Sequence, residues 1–434
     1  MMHTSRLRCR SLAGLVVILM VAGAAIVTAQ STATLKGTVR DAQGNVVPGV
    51  SIIVRNQDTG VERTIATDAT GEYLAASLSP GRYRVEATLQ GFQTQSQDVE
   101  LAVAATQQTD FRLTVGAVAE QVNVTASSPV IDTTTVAVSH VITQRTVQEI
   151  PLNGRHFVDL GLLIPGSVTP PQNGFLTAPL RGQGSFAFNT AGNREDTVNF
   201  MINGVNLNDM AQNQITFQPS INTVSEFKVD NSTFSAEYGR NSGAIVNIAT
   251  RSGANDFHGE GFEFFRDTSM DSRNYFNAEP APQSLFRRNQ FGANLGGPIL
   301  QRRTFFFFSY EGLRQRQGID INSGVLSDSQ RAGVTDPVSR NLLSVIPTAN
   351  ATGAAGDARF VGSATAPVDI DQWTGDVQHT ISSKDLLHWY YAFQRDRRGE
   401  PTLQGNTIPG FGDTRHSHRQ IMTLNETRVF GPGW

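Results

Sequence analysis

Thiol chemistry is almost absent from this chain. Its single cysteine is Cys9, which lies ahead of the apolar stretch at residues 12–27. Arg6, Arg8 and Arg10 precede that stretch and the small-residue sequence Val27-Thr28-Ala29 ends it. These are the three parts of a secretory signal peptide, and they predict cleavage after Ala29. The apolar run is shorter than the roughly 20 residues a spanning helix needs. Cys9 sits upstream of the apolar core, so it is no lipoprotein acceptor and leaves with the signal. The mature chain is then cysteine-free, which excludes disulfides, thiol catalysis and Cys-zinc sites. Lysine is nearly as scarce, occurring only at Lys36, Lys228 and Lys384, and arginine supplies the rest of the positive charge. The net charge of -3 leaves no basic footprint for nucleic acid. No long apolar run follows residue 29. That excludes a helical membrane protein but not a β-barrel, whose strands alternate between apolar and polar residues and so never form such a run. Catalytic signatures are missing as well: there is no G-x-S-x-G elbow, no H-E-x-x-H and no P-loop. The acidic residues are scattered, so no carboxylate pair is suggested. Neither enzyme activity nor a cofactor is expected. His416 and His418 would share one strand face near Asp413, but a polar extracellular loop is expected there rather than a metal site.

What is present is β-rich and modular, and the 434 residues suggest about three domains at ~150 residues each. Residues 30–115 carry short β-prone runs at 35–39, 50–54, 64–67, 83–87, 99–103 and 107–113, separated by turn signals such as Asp41-Ala42-Gln43-Gly44, Asp68-Ala69-Thr70-Gly71 and Ser79-Pro80-Gly81. Val50, Ile52 and Val54 face one way, as do Tyr83, Val85 and Ala87. This pattern predicts a small β-sandwich. Tyr73, Tyr83 and Phe92 are expected as core or corner residues rather than as sugar platforms. The pieces GTVRDAQGNVVPGVSIIV, TDATGEY and LSPGRYRVEATLQGF resemble the carboxypeptidase regulatory-like domain. The resemblance implies a transthyretin-like or prealbumin-like sandwich, often grouped with carbohydrate-binding-like folds, and it implies no zinc site and no peptidase activity.

Composition changes at Ala126-Ser127-Ser128-Pro129, a linker-like stretch. The next region, 129–252, holds a helical pattern at 157–164 stopped by Pro165-Gly166, a strand and tight turn around Asn203-Gly204, and alternating residues at 224–229. Its segments LNGR with the following LL-PG, the strand ending at Asn203-Gly204-Val205, and EYGRNSGAIVNIATRSG resemble the α+β plug domain of TonB-dependent receptors. The residues that carry the likeness are Asn203, Gly204, Glu226, Tyr238, Gly239, Gly243 and Asn247. Many receptors have Asp where this chain has Asn203, and either residue caps a turn. The glycines are read both as loop punctuation and as points of close backbone approach. Residues 181–188 and 209–219 are read as apical plug loops facing a ligand.

From residue 253 onward the strands alternate. Phe291, Ala293 and Leu295 alternate with Gln290, Gly292 and Asn294. Trp373, Gly375 and Val377 alternate with Thr374, Asp376 and Gln378. Leu387, Trp389, Tyr391 and Phe393 alternate with His388, Tyr390, Ala392 and Gln394. Apolar-out, polar-in strands with aromatics toward their ends predict a transmembrane barrel. RRNQFGANLGGPI and RRTFFFFSYEGLRQR resemble the opening barrel strands of Oar-like TonB-dependent receptors, whose order of regulatory-like domain, plug and barrel this chain repeats. Barrels of that kind have about 22 strands of ~10 residues, and few fit into residues 253–434, so a truncated product is expected.

Between the first two modules, at 116–128, lies Glu120-Gln121-Val122-Asn123-Val124-Thr125-Ala126. It resembles the TonB box, acidic-Thr-x-x-Val-Thr-Ala, with Gln121 in place of the Thr. The resemblance implies a TonB-type periplasmic partner that pairs with this segment by strand addition. It also implies outer-membrane lipid around the barrel, the regulatory-like domain in the periplasm of a Gram-negative-type bacterium, and an extracellular ligand drawn from glycans, peptides or chelated metals. The expected function is ligand import powered through that partner. The alternatives are a surface adhesion or matrix-organising protein on the same scaffold, or a glycan-binding periplasmic module.

Overall fold

The computed structural model describes residues 32–116, 138–168, 188–272 (apart from 191, 195–196, 210–212, 214, 233, 237 and 240–241), 283–402 and 412–428, and the backbone of 121–124. In the first module the alternating runs form β1 (Ala33–Asp41), β2 (Ser51–Asn56), β3 (Glu62–Ala66), β4 (Glu72–Leu78), β5 (Gly81–Thr88), β6 (Thr94–Leu101), β7 (Thr106–Gln108) and β8 (Phe111–Leu113). They make two sheets. One is ordered β4-β1-β7, with β8 also on β1, and the other β3-β2-β5-β6. Between them, Leu35, Val39, Ile52, Val54, Tyr83, Val85, Leu101, Phe111 and Leu113 form a dry core. The turn signals act through their aspartates: Asp41 accepts from Gln43 N and Asn45 N, and Asp68 from Thr70 N and Glu72 N. Tyr73 and Tyr83 are buried in this core and Phe92 packs against it, as core or corner residues.

Two details differ from the sequence reading. The sequence predicts no strand at β4, because Leu74-Ala75-Ala76-Ser77 lacks β-branched residues. The run at 107–113 is split, since Thr109 N returns to Lys36 O and Asp110 Oδ1 takes Thr38 N. The chain therefore shifts along β1 between β7 and β8.

After β9 (Gln121–Val124), the second module continues with β10 (Val138–Ile142), β11 (Asn199–Ile202), β12 (Val205–Asn206), β13 (Val224–Ser232) and β14 (Ile245–Thr250), in the order β10-β13-β14-β11-β12. A short helix, Gln144–Glu149, capped by Thr143, and a 3-10 helix, Phe157–Leu163, pack on this sheet. Phe157 meets Phe227 edge-on at 5.6 Å, and Phe188 meets Phe200 at 6.3 Å.

The third module is an antiparallel meander of β15 (His258–Asp267), β16 (Phe286–Leu300), β17 (Thr304–Gly324), β19 (Ala358–Ser382), β20 (Asp385–Glu400) and β21 (Asp413–Arg428), with the two-residue β18 (Ala351–Thr352) beside β19. Among the described residues the sheet is open, with β15 and β21 at its two edges. The β16–β17 and β19–β20 turns are tight, whereas the connections at the opposite end are long, one carrying the helices Asp328–Ala332 and Pro337–Leu342. Outer-membrane barrels put short turns in the periplasm and long loops outside, so the tight turns mark the periplasmic rim. Strands β17 and β19 run for 21 and 25 residues, well beyond the ~10 that cross a bilayer. Their ladder continues as an extracellular hairpin to the pair Gly324↔Arg359.

Candidate functional site

Of the TonB-box-like segment, the backbone of residues 121–124 is described. Its strand β9 pairs in parallel with β6 from Thr94↔Gln121 to Gln97↔Val124. The segment is therefore the outermost strand of the sandwich sheet β3-β2-β5-β6-β9, and among the described residues no strand pairs with its other edge. Glu120, Thr125 and Ala126 lie outside the described residues.

The plug-like motif residues divide into three settings. Asn203 and Gly204 form the two-residue turn between β11 and β12, both at positive φ (47° and 84°), the conformation that favours Asn-Gly in tight hairpins. Asn203 also reaches the barrel, where its carbonyl accepts from Asn425 Nδ2 at 3.4 Å, while its own side-chain amide donates to Thr250 Oγ1 at 2.9 Å. Gly243 is a point of close approach, because a Cβ there would lie 2.7 Å from the Thr197 carbonyl oxygen. Gly239 has open space around it and punctuates a loop. Asn247 donates to Tyr238 Oη at 3.5 Å across the same region. Of the two apical loop readings, residues 181–187, 210–212 and 214 lie outside the described residues. Phe188, Ile215 and Phe217 are in the plug core, which removes them from any ligand surface.

Glu226 lies at neither of these places. It sits on β13 where the sandwich meets the plug. Its carboxylate accepts the Val103 N–H, and two residues along the strand Lys228 donates to the Ala104 carbonyl at 3.0 Å and pairs with Asp230 at 3.2 Å. Lys228 and Asp230 are both buried, and Ala104 holds a φ of 50° to make the contact. Burial pushes the Glu226 carboxyl up to about 7, against the Val103 N–H, which lowers it, and with Glu100, which raises it further. Below about pH 4.5 the group is neutral whether docked or free. Between 4.5 and 7 the free form releases a proton that the docked form keeps, so the junction weakens as pH rises and its contribution is gone above 7. Thermal unfolding from about pH 4.5 to about pH 8 should therefore show a loss on the order of 2 kcal/mol relative to Glu226→Gln, which keeps an acceptor without the titration. Parallel pH profiles for the two proteins would contradict this.

The plug meets the barrel through polar side chains that the sequence motifs do not single out. Ser220 N donates to Gln372 Oε1 at 2.6 Å, Gln372 Nε2 donates to the Gln218 carbonyl at 2.9 Å, and Ser220 Oγ donates to Glu311. Lower down, Asp376 accepts from Ser252 Oγ and from Thr250 Oγ1, and pairs with His388 Nε2 at 2.6 Å. Arg155, in a left-handed conformation after Gly154, lays its guanidinium 4.2 Å from the Phe264 ring centroid and donates to Asn222 Oδ1. Tyr390 and Ala392 complete the plug core from the wall. Asp376, His388, Tyr390 and Ala392 are on the face read as polar-in, and the only signal for them in the sequence is that alternation; Phe264, Glu311 and Gln372 carry no such signal. Replacing Asp376 by Leu keeps the volume and removes the acceptor for two plug hydroxyls. Loss of ~2–3 kcal/mol of plug anchoring is expected, read as faster proteolysis of the plug in outer-membrane preparations.

His416 and His418, expected in a loop, lie on β21 and face away from the plug, because each pairs with an outward residue of β20, Arg397 and Arg395. Among the described residues no group of His, Asp or Glu is placed to hold a metal ion.

Residues 249–434 match the family profile of an outer membrane beta barrel domain, and residues 34–114 that of a carboxypeptidase regulatory-like domain. The TonB-dependent transporter Oar of Myxococcus xanthus is 26% identical over 298 residues, 65% of this chain and 27% of the relative. The chain is similar to that transporter over this stretch. It spans about a quarter of the relative's length, and its barrel domain locates it in the outer membrane of a Gram-negative cell. The relative is a TonB-dependent transporter. Among solved structures, the outer membrane transporter YddB from Escherichia coli aligns with a TM-score of 0.46 and 11% identity over 67% of this chain and 37% of its own. The siderophore receptor PirA from Acinetobacter baumannii aligns at 0.37 and 14%, over 67% and 45%.

Proposed function

We propose that this chain supplies the coupling segment, plug and opening barrel strands of a receptor that imports an extracellular ligand with energy from a periplasmic TonB-type partner. The division proposed is a sandwich at 30–115, a coupling linker at 116–128, a plug at 129–252 and barrel strands from 253. One observation carries the reading: a four-residue edge strand, β9, lies between the sandwich and the plug with one edge free of protein partners among the described residues. Such an edge is a template for strand addition, where main-chain hydrogen bonds give affinity and side chains give selectivity. Force applied there would reach the plug through the linker, and the plug is tied to the wall by hydrogen bonds that can be exchanged for water as well as by the apolar contact of Tyr390 and Ala392. The chemistry is transport, with no bond made or broken. Ligand accumulation in cells carrying the receptor should collapse when a protonophore removes the gradient, while ligand binding at the surface persists. Accumulation that survives the protonophore would overturn energy coupling, and binding with no accumulation at all would favour a surface adhesion role.

A further inference from the structure

The sandwich touches the other modules through two separate loops, and the two loops meet different partners. Its β6–β7 loop is on the plug, where Glu226 and Lys228 of β13 hold the Val103 N–H and the Ala104 carbonyl. Val103 is fully buried without joining the sandwich core, as a residue covered by its partner would be. The β2–β3 turn is on the barrel rim. Asn255, between β14 and β15, gives its own N–H to the Asp58 carbonyl at 3.1 Å and its side-chain amide to the Thr59 carbonyl. Its Oδ1 accepts from Arg302 N at 2.8 Å, in the tight β16–β17 turn. One asparagine thus joins the sandwich to the periplasmic rim with three groups. The sandwich turn is shaped in advance for this contact. Asn56 Oδ1 accepts from Asp58 N and Thr59 N, and Gly60 N returns to the Asn56 carbonyl at 2.9 Å. Nearby, Val61, Arg63 and Tyr83 of the sandwich face Phe305, Thr380 and Leu386 of β17, β19 and β20 across a cleft. The two loops are rigidly related, because β2 leads into one and β6 into the other, and only β5 lies between these strands in their sheet.

We propose that the docked sandwich is an autoinhibitory clamp at the periplasmic mouth. It bridges the plug to the barrel rim, so the plug cannot leave the wall until one of the two docks opens, and Asn255 is the residue that positions the clamp on the wall. Two features favour this reading. The plug dock is built at a cost: it buries the Lys228–Asp230 pair and holds Ala104 at a φ of 50°, a conformation that non-glycine residues rarely adopt. Both docks are also reversible by design. The groups the sandwich offers are mostly main-chain, the carbonyls of Asp58, Thr59 and Ala104 and the N–H of Val103, and water can satisfy each of them on release with no change inside the sandwich core. The inference rests on the docked geometry and is independent of energy coupling.

The test uses the full-length protein in outer-membrane preparations. A Cβ at position 60 would lie 3.5 Å from Arg302 Cγ, the place a cysteine's Sγ takes, and no cysteine follows Cys9. Gly60→Cys combined with Arg302→Cys should therefore close a disulfide under mild oxidant. That bond ties the sandwich to the barrel and does not touch the plug. Trypsin pulses across a urea series then report loss of the plug. The oxidised protein should lose its plug at a midpoint about 0.5 M higher in urea than the same protein reduced, and Asn255→Ala should lose it at a lower midpoint than wild type. A second measurement needs no disulfide. The thiol of Val103→Cys should react with a small maleimide far more slowly than that of Gln108→Cys, which is exposed. Adding Asn255→Ala should speed the first reaction about fivefold, the scale of one lost hydrogen bond, and leave the second unchanged. Should the Gly60→Cys variant fail to fold, Asn255→Ala and the thiol rates still decide the matter. Equal midpoints for the oxidised and reduced protein would overturn the clamp. Failure of the folded pair to cross-link would overturn it too, as would equal rates for the two thiols in the wild-type background.

Discussion

Proline at Val122 or Val124 should abolish ligand uptake by the complete receptor while leaving ligand binding at the cell surface nearly intact. Both residues belong to β9, and their N–H groups point to the same edge because residues two apart in a strand are equivalent. Proline removes the donor and fixes φ, so a strand added at that edge loses its ladder. Proline at Gln121 or Asn123 interrogates the opposite edge, and the two pairs together distinguish contact with β6 from contact with a partner. A plain tether would tolerate all four changes, since a tether needs reach and not hydrogen bonds. Uptake and binding are measured separately on the same cells. Normal uptake in both valine-to-proline variants would end the coupling assignment and leave β9 as an ordinary edge of the sandwich.

Gly37→Ala should unfold the sandwich. The added Cβ would overlap the Thr109 carbonyl oxygen and lie 2.9 Å from the Tyr73 ring. The first of these is main chain, at the point where β7 gives way to β8, and Tyr73 Oη donates to the same oxygen. The backbone cannot yield without breaking the parallel ladder on β1. Overpacking typically costs ~1–3 kcal/mol, and more where the obstructing group is main chain as here, a large share of the stability of a domain of this size. In urea, residues 32–116 of the wild type should unfold in one cooperative transition, and the alanine variant should show no folded baseline. A cooperative transition at the wild-type midpoint would show that β1 and the Thr109 turn are not packed as described.

Most of the strand architecture is legible because burial on one face imposes a period of two. The alternation at Gln290 to Leu295 and at Trp373 to Gln378 assigns the inner and outer faces of the wall, and the plug indeed contacts Gln372, Asp376 and Tyr390. Asp41, Asp68 and Asn203-Gly204 are readable as turns because their side chains or their φ preferences act locally. What escapes is non-local. Nothing near Glu226 or Lys228 in sequence reveals that a loop more than a hundred residues earlier supplies Val103 and Ala104. The joining of Ser220 to Glu311 and Gln372 also depends on how one module seats in another. Strand β4 escapes for the opposite reason, since alanines make its local preference weak while Tyr73 and Leu78 are held by the core. The histidines of β21 look like loop residues because their neighbours Arg415 and Arg419 are polar too. On this strand the inward side meets Asp396 through Arg419, so polarity on both faces conceals the period.

The parallel seating of β9 on β6 sets a threshold for whatever engages it. A partner that needs the edge facing β6 must offer more than the four-residue ladder it displaces, and a pairing that short is marginal. The threshold is therefore low. Once the pull ceases, the vacated edge of β6 is the nearest unsatisfied row of donors and acceptors, at a high local concentration fixed by the short connection from β8. The strand would re-seat without help, and the sandwich would serve as the rest position of a cycle that begins and ends with the same hydrogen bonds.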